Sequence, residues 1–208
     1  MVANERMTAS DGYEVMLFPL PYMYISQGEG GSYSHTGTYN IDFLGWGANG
    51  RVYTAPIYAP CSCKCVATID ATNNGRIFES LNKVHTPNGL EYVTFMFFHD
   101  NFPIASVGSI YHQGQLIAHT GTAGNVTGDH THFNTANGQY AGWEQVPPDN
   151  NGQLVNSTHI YDICYVNDTV LVEDMNYNWR EYNGNLSQNK KTNFPWVLYA
   201  RKFRHNFR

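Results

Sequence analysis

The most hydrophobic stretch of the chain spans residues 90–98, with the sequence Leu-Glu-Tyr-Val-Thr-Phe-Met-Phe-Phe. Aromatic and β-branched residues dominate it, and its length is that of a strand rather than of a typical helix. No long stretch carries Ala, Leu, Glu and Lys at helical spacing, whereas Gly, Asn, Thr and Tyr are abundant. We therefore expect a mainly β protein, with a central strand at residues 90–98 among many short strands joined by turns.

Other segments extend this prediction along the chain. Residues 15–18 predict an opening strand, which the prolines that follow would stop. Asn-Asn-Gly-Arg at residues 73–76 indicates a hairpin turn of the Asn-Gly type. Residues 160–166 and 169–173 are apolar and β-branched, and they predict two strands near the end of the domain.

A chain of 208 residues is long enough for one sizeable domain. We expect this domain to span residues 12–175 and a polar, basic extension to span residues 176–208. Six of the twelve basic residues lie from Lys190 onward, and no acidic residue follows Glu181. The chain before Lys190 thus has 6 basic and 17 acidic residues, a net charge of −11, and the tail from Lys190 onward carries +6.

The overall charge and the first residues of the chain argue against several classes of protein. A formal net charge of −5 argues against a chain built mainly to coat nucleic acid. The first residues resemble no signal peptide, and no run approaches the roughly 20 apolar residues of a membrane-spanning helix. We expect a protein that is made in a cytoplasm and stays in solution.

Cys61, Cys63 and Cys65 alternate along one predicted strand, and Cys164 lies far from them in sequence. Structural zinc sites usually show C-x(2–4)-C pairs that bend around the ion, whereas alternation puts three thiols on one strand face. We interpret the cysteines as small buried hydrophobic residues. A structural metal site or a disulfide with Cys164 is the alternative.

Residues 128–133, Gly-Asp-His-Thr-His-Phe, place two histidines two positions apart. On a strand, residues i and i+2 share a face, so His130 and His132 project together while Thr131 and Phe133 point away. Two imidazoles on one face can bind a metal, or one can bind it while the other carries protons. The alternative is a pair of incidental surface histidines, because this spacing alone is a weak signal.

Three residues upstream are further candidates. Asp42 lies within Ile-Asp-Phe-Leu, and a carboxylate in an apolar strand is costly unless it is paired or binds a metal. His35 precedes it by seven positions, and His99 follows the central strand. Taken singly, Asp42 could cap a turn and His99 could be a satisfied core residue.

This series resembles the site of the M23 (lysostaphin/LytM-type) zinc metallopeptidases, which cut peptide bonds in bacterial peptidoglycan. The likeness runs from about residue 18 to residue 133. His-Thr-Gly at 35–37, leading to Ile-Asp-Phe at 41–43, resembles the family's His-x-Gly-x-Asp motif. Phe-Phe-His at 97–99, the Gly-Gln segment at 114–121 and Thr-Gly-Asp-His-Thr-His-Phe at 127–133 resemble three more family motifs. Each motif is weak alone, but four in the family's order make a strong pattern.

The resemblance implies a LytM-like antiparallel β-sheet core with a zinc site in a groove flanked by loops. It implies one zinc ion per chain with His35, Asp42 and His132 as ligands. It also implies that His99 and His130 are catalytic. Two imidazoles and one carboxylate leave a position open for water, as in catalytic zinc sites. The two unligated histidines could then exchange protons with water and with the leaving amine.

The spacer between the first two ligands departs from the family's pattern. Three residues usually separate them, whereas six separate His35 from Asp42. On a continuous strand, an offset of seven would place the two side chains on opposite faces. We therefore expect residues 38–40 to loop out, a conformation that Gly37 and Asn40 favour.

Two other classes of protein remain possible from the sequence. A cupin metal-binding oxygenase also uses a His-x-His pair on a β scaffold, but there the pair comes first and a Glu follows within a few residues. Here the other candidate ligands come before the pair, and residues 133–138 contain no Glu. The second alternative is a non-enzymatic structural or wall-binding virion protein with a degenerate peptidase fold, and a zinc assay separates it from the enzyme.

The resemblance therefore implies a zinc-dependent endopeptidase of bacterial peptidoglycan, and the lack of a signal peptide suggests that a bacteriophage encodes it. It would act at the bacterial cell wall, as a free endolysin or as a component of the virion tail. The basic tail, with interleaved aromatic residues, is a candidate contact for wall teichoic acid or for another virion subunit. Solvated charges on a last strand are the alternative for this tail.

Overall fold

The fold is taken from a computed structural model, which describes residues 1–69, 72–147, 151–184 and 189–190, the last two and residue 151 by their backbone alone. The described strands are β1 (Tyr22–Gln27), β2 (Ile41–Phe43), β3 (Trp46–Gly47), β4 (Gly50–Arg51), β5 (Pro56–Tyr58), β6 (Cys63–Ile69), β7 (Gly75–Ser80), β8 (Val84–Thr86), β9 (Gly89–Glu91), β10 (Val93–Phe98), β11 (Ile110–Tyr111), β12 (Leu116–His119), β13 (Thr131–Asn137), β14 (Trp143–Val146), β15 (Asn151–Leu154), β16 (Ser157–Thr158), β17 (Val170–Glu173), β18 (Arg180–Glu181) and β19 (Asn189–Lys190). A single helix, α1 (Ile160–Ile163), occurs among the described residues.

One large sheet forms the centre of the molecule, in the order β11-β6-β7-β10-β13-β2-β1-β17, with β16 paired to β13. Its pairings are antiparallel except that β1 and β17 run parallel at one edge. The remaining strands form short two-stranded ribbons, including the hairpin β14–β15. The predicted mainly β class with an antiparallel sheet core is thus confirmed.

The predicted central strand and hairpin also occur in this sheet. Residues 93–98 form β10, which lies between β7 and β13, whereas residues 89–91 form β9 and pair with β8 instead. β6 and β7 pair in antiparallel fashion on either side of the Asn-Asn-Gly segment. Asn74 has a φ of 54°, the left-handed conformation that Asn tolerates better than most residues.

Two predicted strands near the ends of the domain are wrong. Residues 160–163 form the helical turn α1, since Ile160 and Ile163 lie three positions apart and are both buried. A short apolar run does not distinguish a strand from a buried helical turn. Residues 15–18 make only isolated bridges, Val15 with His85 and Leu17 with Tyr165. The strand predicted at residues 169–173 is present as β17.

Aromatic side chains fill the core on one face of the sheet. Phe97 of β10 stacks on Phe133 of β13, with ring centroids 4.7 Å apart, and Phe133 contacts Phe43 of β2. Burial of each such ring contributes about 1.5–3 kcal/mol. Side chains alternate between the two faces along a strand. Asp42, next to Phe43, and His132, next to Phe133, therefore point to the opposite face of the sheet.

The four cysteines are free thiols, and all are buried. Burial raises the pKa of the thiols of Cys61, Cys63 and Cys164 well above the usual value. No cysteine joins a metal-type cluster within the part of the chain that the structure describes. The interpretation as buried hydrophobic residues is confirmed.

The segment assigned to the C-terminal extension is described only as far as its first residues. Within it, Trp179 is fully buried against Phe18 and Tyr161, so residues near 179 pack on the body. The domain boundary at residue 175 stays a prediction, and the basic tail beyond Lys190 lies outside the described residues. Over the described ranges, no helix has the length and apolar character needed to cross a membrane.

Candidate metal centre

Two neighbouring strands bring Asp42 and His132 together. Asp42 in β2 and His132 in β13 are register partners, and His132 Nδ1 lies 3.1 Å from Asp42 Oδ1. Ile41 and Phe43 flank the aspartate and are fully buried in the core. These apolar flanks hold β2 in the sheet and aim the carboxylate at the opposite face.

His35 reaches the same point from a loop before β2. Residues 32–38 form turns, in which the His35 N–H donates to Gly31 O and the Thr38 N–H donates to His35 O. Strand β2 begins only at Ile41, so residues 38–40 lie outside it, as the long spacer predicts. His35 Nε2 lies 3.3 Å from Asp42 Oδ1 and 3.2 Å from His132 Nδ1.

The three atoms form a triangle with the dimensions of a metal site. Bonds of about 2.0–2.1 Å from zinc to imidazole nitrogen and carboxylate oxygen place tetrahedral ligand atoms about 3.3–3.4 Å apart. The sides of the triangle are 3.1–3.3 Å long. The ligand-type side chains of His35, Asp42 and His132 form a cluster that could hold a metal ion. The donor set therefore fits zinc.

Hydrogen bonds fix the tautomer of one of the two imidazoles. His35 Nδ1 lies 3.1 Å from Gly28 O, and because a carbonyl only accepts, this nitrogen carries the proton. Nε2 of His35 therefore presents a lone pair to the triangle. A backbone carbonyl behind a ligating histidine is a common second partner in metal sites.

The carboxylate of Asp42 is ionised in this setting. Burial opposes the charge, but the hydrogen bond with His132 and the nearby imidazole of His35 outweigh it and hold the pKa of Asp42 well below its usual range. His132 is buried as well, and this burial lowers its pKa, which favours the neutral imidazole. An anionic carboxylate and neutral imidazoles are the protonation states that a metal requires.

His99 stands at the end of β10, beside the triangle. Its φ of 81° lies in the left-handed region, which costs a residue other than glycine on the order of 1 kcal/mol. Its Nδ1 donates to Ala123 O at 2.8 Å, which leaves Nε2 as the acceptor. Burial, together with the nearby imidazoles of His132 and His130, lowers the pKa of His99 to about 3. The ring is neutral at pH 7.

His130 completes the cluster from the loop before β13. Its Nδ1 donates to Gly128 O at 2.8 Å, so Nε2 again carries the lone pair. This Nε2 lies 3.6 Å from Asp42 Oδ2, and the ring centroid lies 4.7 Å from that of His99. The structure therefore brings all five predicted site residues together, three in the triangle and two beside it.

An open groove of about 680 Å³ runs over the cluster. Its lining includes residues near His35 and of the β14–β15 hairpin: Gln27, Tyr33, Ser34, Trp143, Gln145 and Gly152. The lining also includes the glycine-rich loop before β13 and other residues: Arg51, Asn73, Asn125, Val126, Thr127, Gly128 and Asp129. An open groove can receive an extended chain.

Asp129 positions the loop that carries His130, a role that the sequence pattern alone does not single out. Its Oδ1 accepts from the Thr120 hydroxyl at 2.6 Å, and its Oδ2 accepts from the Thr54 N–H at 3.0 Å. The Arg51 guanidinium donates to the backbone carbonyl of Asp129. The only sequence signal is a carboxylate directly before the first histidine of the pair.

The other described histidines lie outside the cluster. His85 pairs with Asp11 at 2.8 Å, and His159 pairs with Glu29 at 2.7 Å. His119 lies 3.5 Å from Asp100, the neighbour of His99, and His112 is exposed. His205 lies outside the described residues.

The fold and the cluster together define a mainly β protein with a candidate mononuclear metal site of two histidines and one aspartate. No family model matches the chain. Morphogenesis protein 1 of Bacillus phage B103 is a relative with 35% identity over 173 residues, which are 82% of this chain. The chain spans 45% of the length of that protein.

Solved peptidase structures are also similar to this chain, each at low identity. A zinc-containing peptidase from Vibrio cholerae is 20% identical, with a TM-score of 0.42 over 64% of this chain and 43% of that one. The catalytic domain of lysostaphin from Staphylococcus simulans is 19% identical, with a TM-score of 0.43 over 57% and 84%. The catalytic domain of the prophage-encoded M23 protein EnpA of Enterococcus faecalis, in a mutant form, is 16% identical, with a TM-score of 0.41 over 58% and 92%.

Proposed function

We propose that the chain is a zinc-dependent endopeptidase that hydrolyses peptide bonds in bacterial peptidoglycan. The observation that carries this proposal is the triangle of His35 Nε2, Asp42 Oδ1 and His132 Nδ1, with sides of 3.1–3.3 Å. The three residues occur in the sequence in the same order as in the M23 motifs, and two further imidazoles lie beside the triangle. An incidental cluster of surface histidines would not share one buried carboxylate.

His35, Asp42 and His132 would hold the zinc ion in the floor of the groove. When bound, zinc supplies the Lewis acidity that polarises a scissile carbonyl and acidifies water. The protein's own contribution is to keep Asp42 ionised and to favour the neutral form of His132. The Gly28 carbonyl orients the ring of His35, and pairing between β2 and β13 sets the distance between Asp42 and His132.

His99 and His130 would move protons at the reacting bond. In each ring, Nδ1 donates to a backbone carbonyl, so the two Nε2 atoms are free to accept a proton. Two adjacent imidazoles can take the proton of the attacking water, and can return it to the leaving amine. The protonated form of either ring would also stabilise the negative oxygen of the tetrahedral intermediate.

The biological setting is proposed from the phage relative. Its name assigns it to morphogenesis, which favours a virion component over a free endolysin for this chain. A phage must breach the cell wall during entry, and a peptidase on the tail would open it. In this proposal the protein is made in the host cytoplasm and acts at the bacterial wall.

The name of the relative also favours a second candidate function, a structural virion subunit with a degenerate peptidase site. The two candidates differ in whether the site is loaded and active. Purified protein should contain about one zinc per chain. It should release new amino termini from purified peptidoglycan, which mass spectrometry of the fragments detects.

The outcomes of that experiment separate the classes of protein. Zinc with new amino termini supports the peptidase. If the protein neither holds zinc nor cuts peptidoglycan, the structural virion subunit is the remaining candidate function. New reducing sugar ends without new amino termini would identify a glycosidase and contradict the proposal.

A further inference from the structure

Glu29, at the start of the loop that carries His35, attaches this loop to the rest of the domain. The Glu29 Oε2 atom lies 2.7 Å from His159 Nδ1, and the Glu29 N–H donates to the Tyr177 hydroxyl at 3.0 Å. Gly28, the preceding residue, supplies the carbonyl that orients the His35 ring. The attachment at Glu29 is therefore adjacent in the chain to the group that sets the tautomer of a proposed ligand.

The same histidine also contacts the end of the loop. The ring of Tyr39 meets that of His159 edge-on, with centroids 4.7 Å apart and an interplanar angle of 79°. The next residue, Asn40, donates from Nδ2 to Gly152 O at 3.1 Å in the β14–β15 hairpin. Both contacts lie within the long spacer that separates His35 from Asp42.

His159 itself is held in place by a stack of aromatic rings. It lies parallel to Tyr161, with centroids 4.8 Å apart, and Tyr161 stacks in turn on Tyr177 at 5.2 Å. Tyr161 also meets the fully buried Trp179 edge-on. The stack connects His159 to the hydrophobic core, so His159 is a fixed point for the loop.

The pairing of Glu29 with His159 also compensates a buried charge. Burial raises the pKa of the Glu29 carboxyl, and the hydrogen bond with His159 opposes this shift. The other oxygen, Oε1, is buried without a hydrogen-bond partner among the described residues. Loss of the imidazole would thus leave the carboxylate at the start of the loop without its strongest partner.

We propose that His159 is a positioning residue that fixes the ligand loop, residues 28–40, at both ends and thereby sets the zinc affinity of the site through His35. The inference rests on the proposed zinc site. It gives the longer spacer a role, because the added residues reach His159 and the hairpin. It also separates His159 from the other histidines outside the cluster, which contact no part of this loop in the described structure.

The test compares two histidine–carboxylate pairs of the same kind. His159→Gln removes the pairing with Glu29, and His85→Gln removes the matched pairing with Asp11, which lines no part of the groove. Zinc dissociation constants are measured by competition with a chromophoric chelator. We expect His159→Gln to bind zinc about 10-fold more weakly than the wild type, which is the size of effect seen when a group that orients a ligand is lost. The zinc affinity of His85→Gln should not change.

A double-mutant cycle with Glu29→Gln adds a second readout. If the two side chains act as one unit, Glu29→Gln in the His159→Gln background should weaken zinc binding by much less than in the wild type. Urea denaturation of the metal-free variants shows whether each one is folded.

Failure of this inference differs from failure of the proposed function. Wild-type affinity in His159→Gln, with zinc still lost in His35→Ala, would overturn the positioning role alone. A similar loss of affinity in His85→Gln would also overturn it, because the effect would then be general. Absence of zinc binding by the wild-type protein would instead overturn the proposed function.

Discussion

His132 and Asp42 face each other on neighbouring antiparallel strands, with His132 Nδ1 3.1 Å from Asp42 Oδ1. Sheet register alone therefore fixes two of the three proposed ligands. The third, His35, comes from a loop and depends on contacts outside the sheet. This division between a rigid pair and a loop-borne ligand underlies the predictions below.

The buried imidazole of His99 predicts a pH-dependent stability. Its pKa of about 3 lies below the usual value of 6.5, so between these values the unfolded chain binds more protons than the folded one. The free energy of unfolding should therefore fall as the pH decreases from 6.5 toward 3. His99→Gln should flatten this slope by up to about 1.4 kcal/mol per pH unit. Urea denaturation of the metal-free protein at a series of pH values measures it, and an unchanged slope contradicts the prediction.

Asp129 should affect turnover through His130 and not through the metal. Asp129→Ala leaves the Thr54 N–H and the Thr120 hydroxyl without their acceptor, at a cost of about 1–3 kcal/mol of stability. We expect a lower rate of peptidoglycan hydrolysis with zinc content unchanged, and a milder effect in Asp129→Asn, which keeps one acceptor oxygen. Loss of zinc in parallel with activity would count against this assignment.

The four buried thiols should be unreactive in the folded protein. Burial raises the pKa of Cys61, Cys63, Cys65 and Cys164, so little thiolate is present near neutral pH. A chromogenic disulfide reagent should react slowly with the thiols of the native protein. After denaturation, it should react readily with all four thiols. Fewer than four thiols in the denatured, unreduced protein would point to a disulfide instead.

The basic tail should contribute to binding of the cell wall but not to hydrolysis. We propose that removal of residues 201–208 weakens binding to walls that contain teichoic acid, most strongly at low salt, because screening reduces the attraction at high salt. Hydrolysis of a small soluble peptide should not change. Equal wall binding by the intact and shortened proteins across a salt series would leave only the interpretation of solvated charges.

Some features of the fold follow from local sequence patterns. Alternation of apolar residues in Ile-Asp-Phe places Asp42 away from the core, and the Asn-Gly signal correctly marks the β6–β7 hairpin. The antiparallel sheet core follows in the same way from short, β-branched and aromatic segments. Such patterns depend on residues close together in sequence, so they are visible without a structure.

Other features depend on tertiary contacts that no local pattern shows. The apolar pattern at residues 160–166 is compatible with a strand and with a helical turn. Burial of both Ile160 and Ile163 favours the helical turn α1. The hydrogen bond between Thr54 and Asp129 and the pairing of His159 with Glu29 join residues 75 or more positions apart. The five site residues can be proposed from sequence, but the groups that orient them cannot.

The central claim divides the five site residues into ligands and proton carriers. His35→Ala, Asp42→Ala and His132→Ala should lose zinc and activity together, because each removes a corner of the triangle. His99→Ala and His130→Ala should keep about one zinc per chain and lose activity by about 10²–10⁴-fold. His85→Ala is the control histidine.

The most direct measurement is the zinc content of the purified His130→Ala and His132→Ala proteins, since these two imidazoles lie two positions apart in sequence. We expect about one zinc per chain in His130→Ala and almost none in His132→Ala. Zinc retained by His132→Ala and lost by His130→Ala would contradict the account.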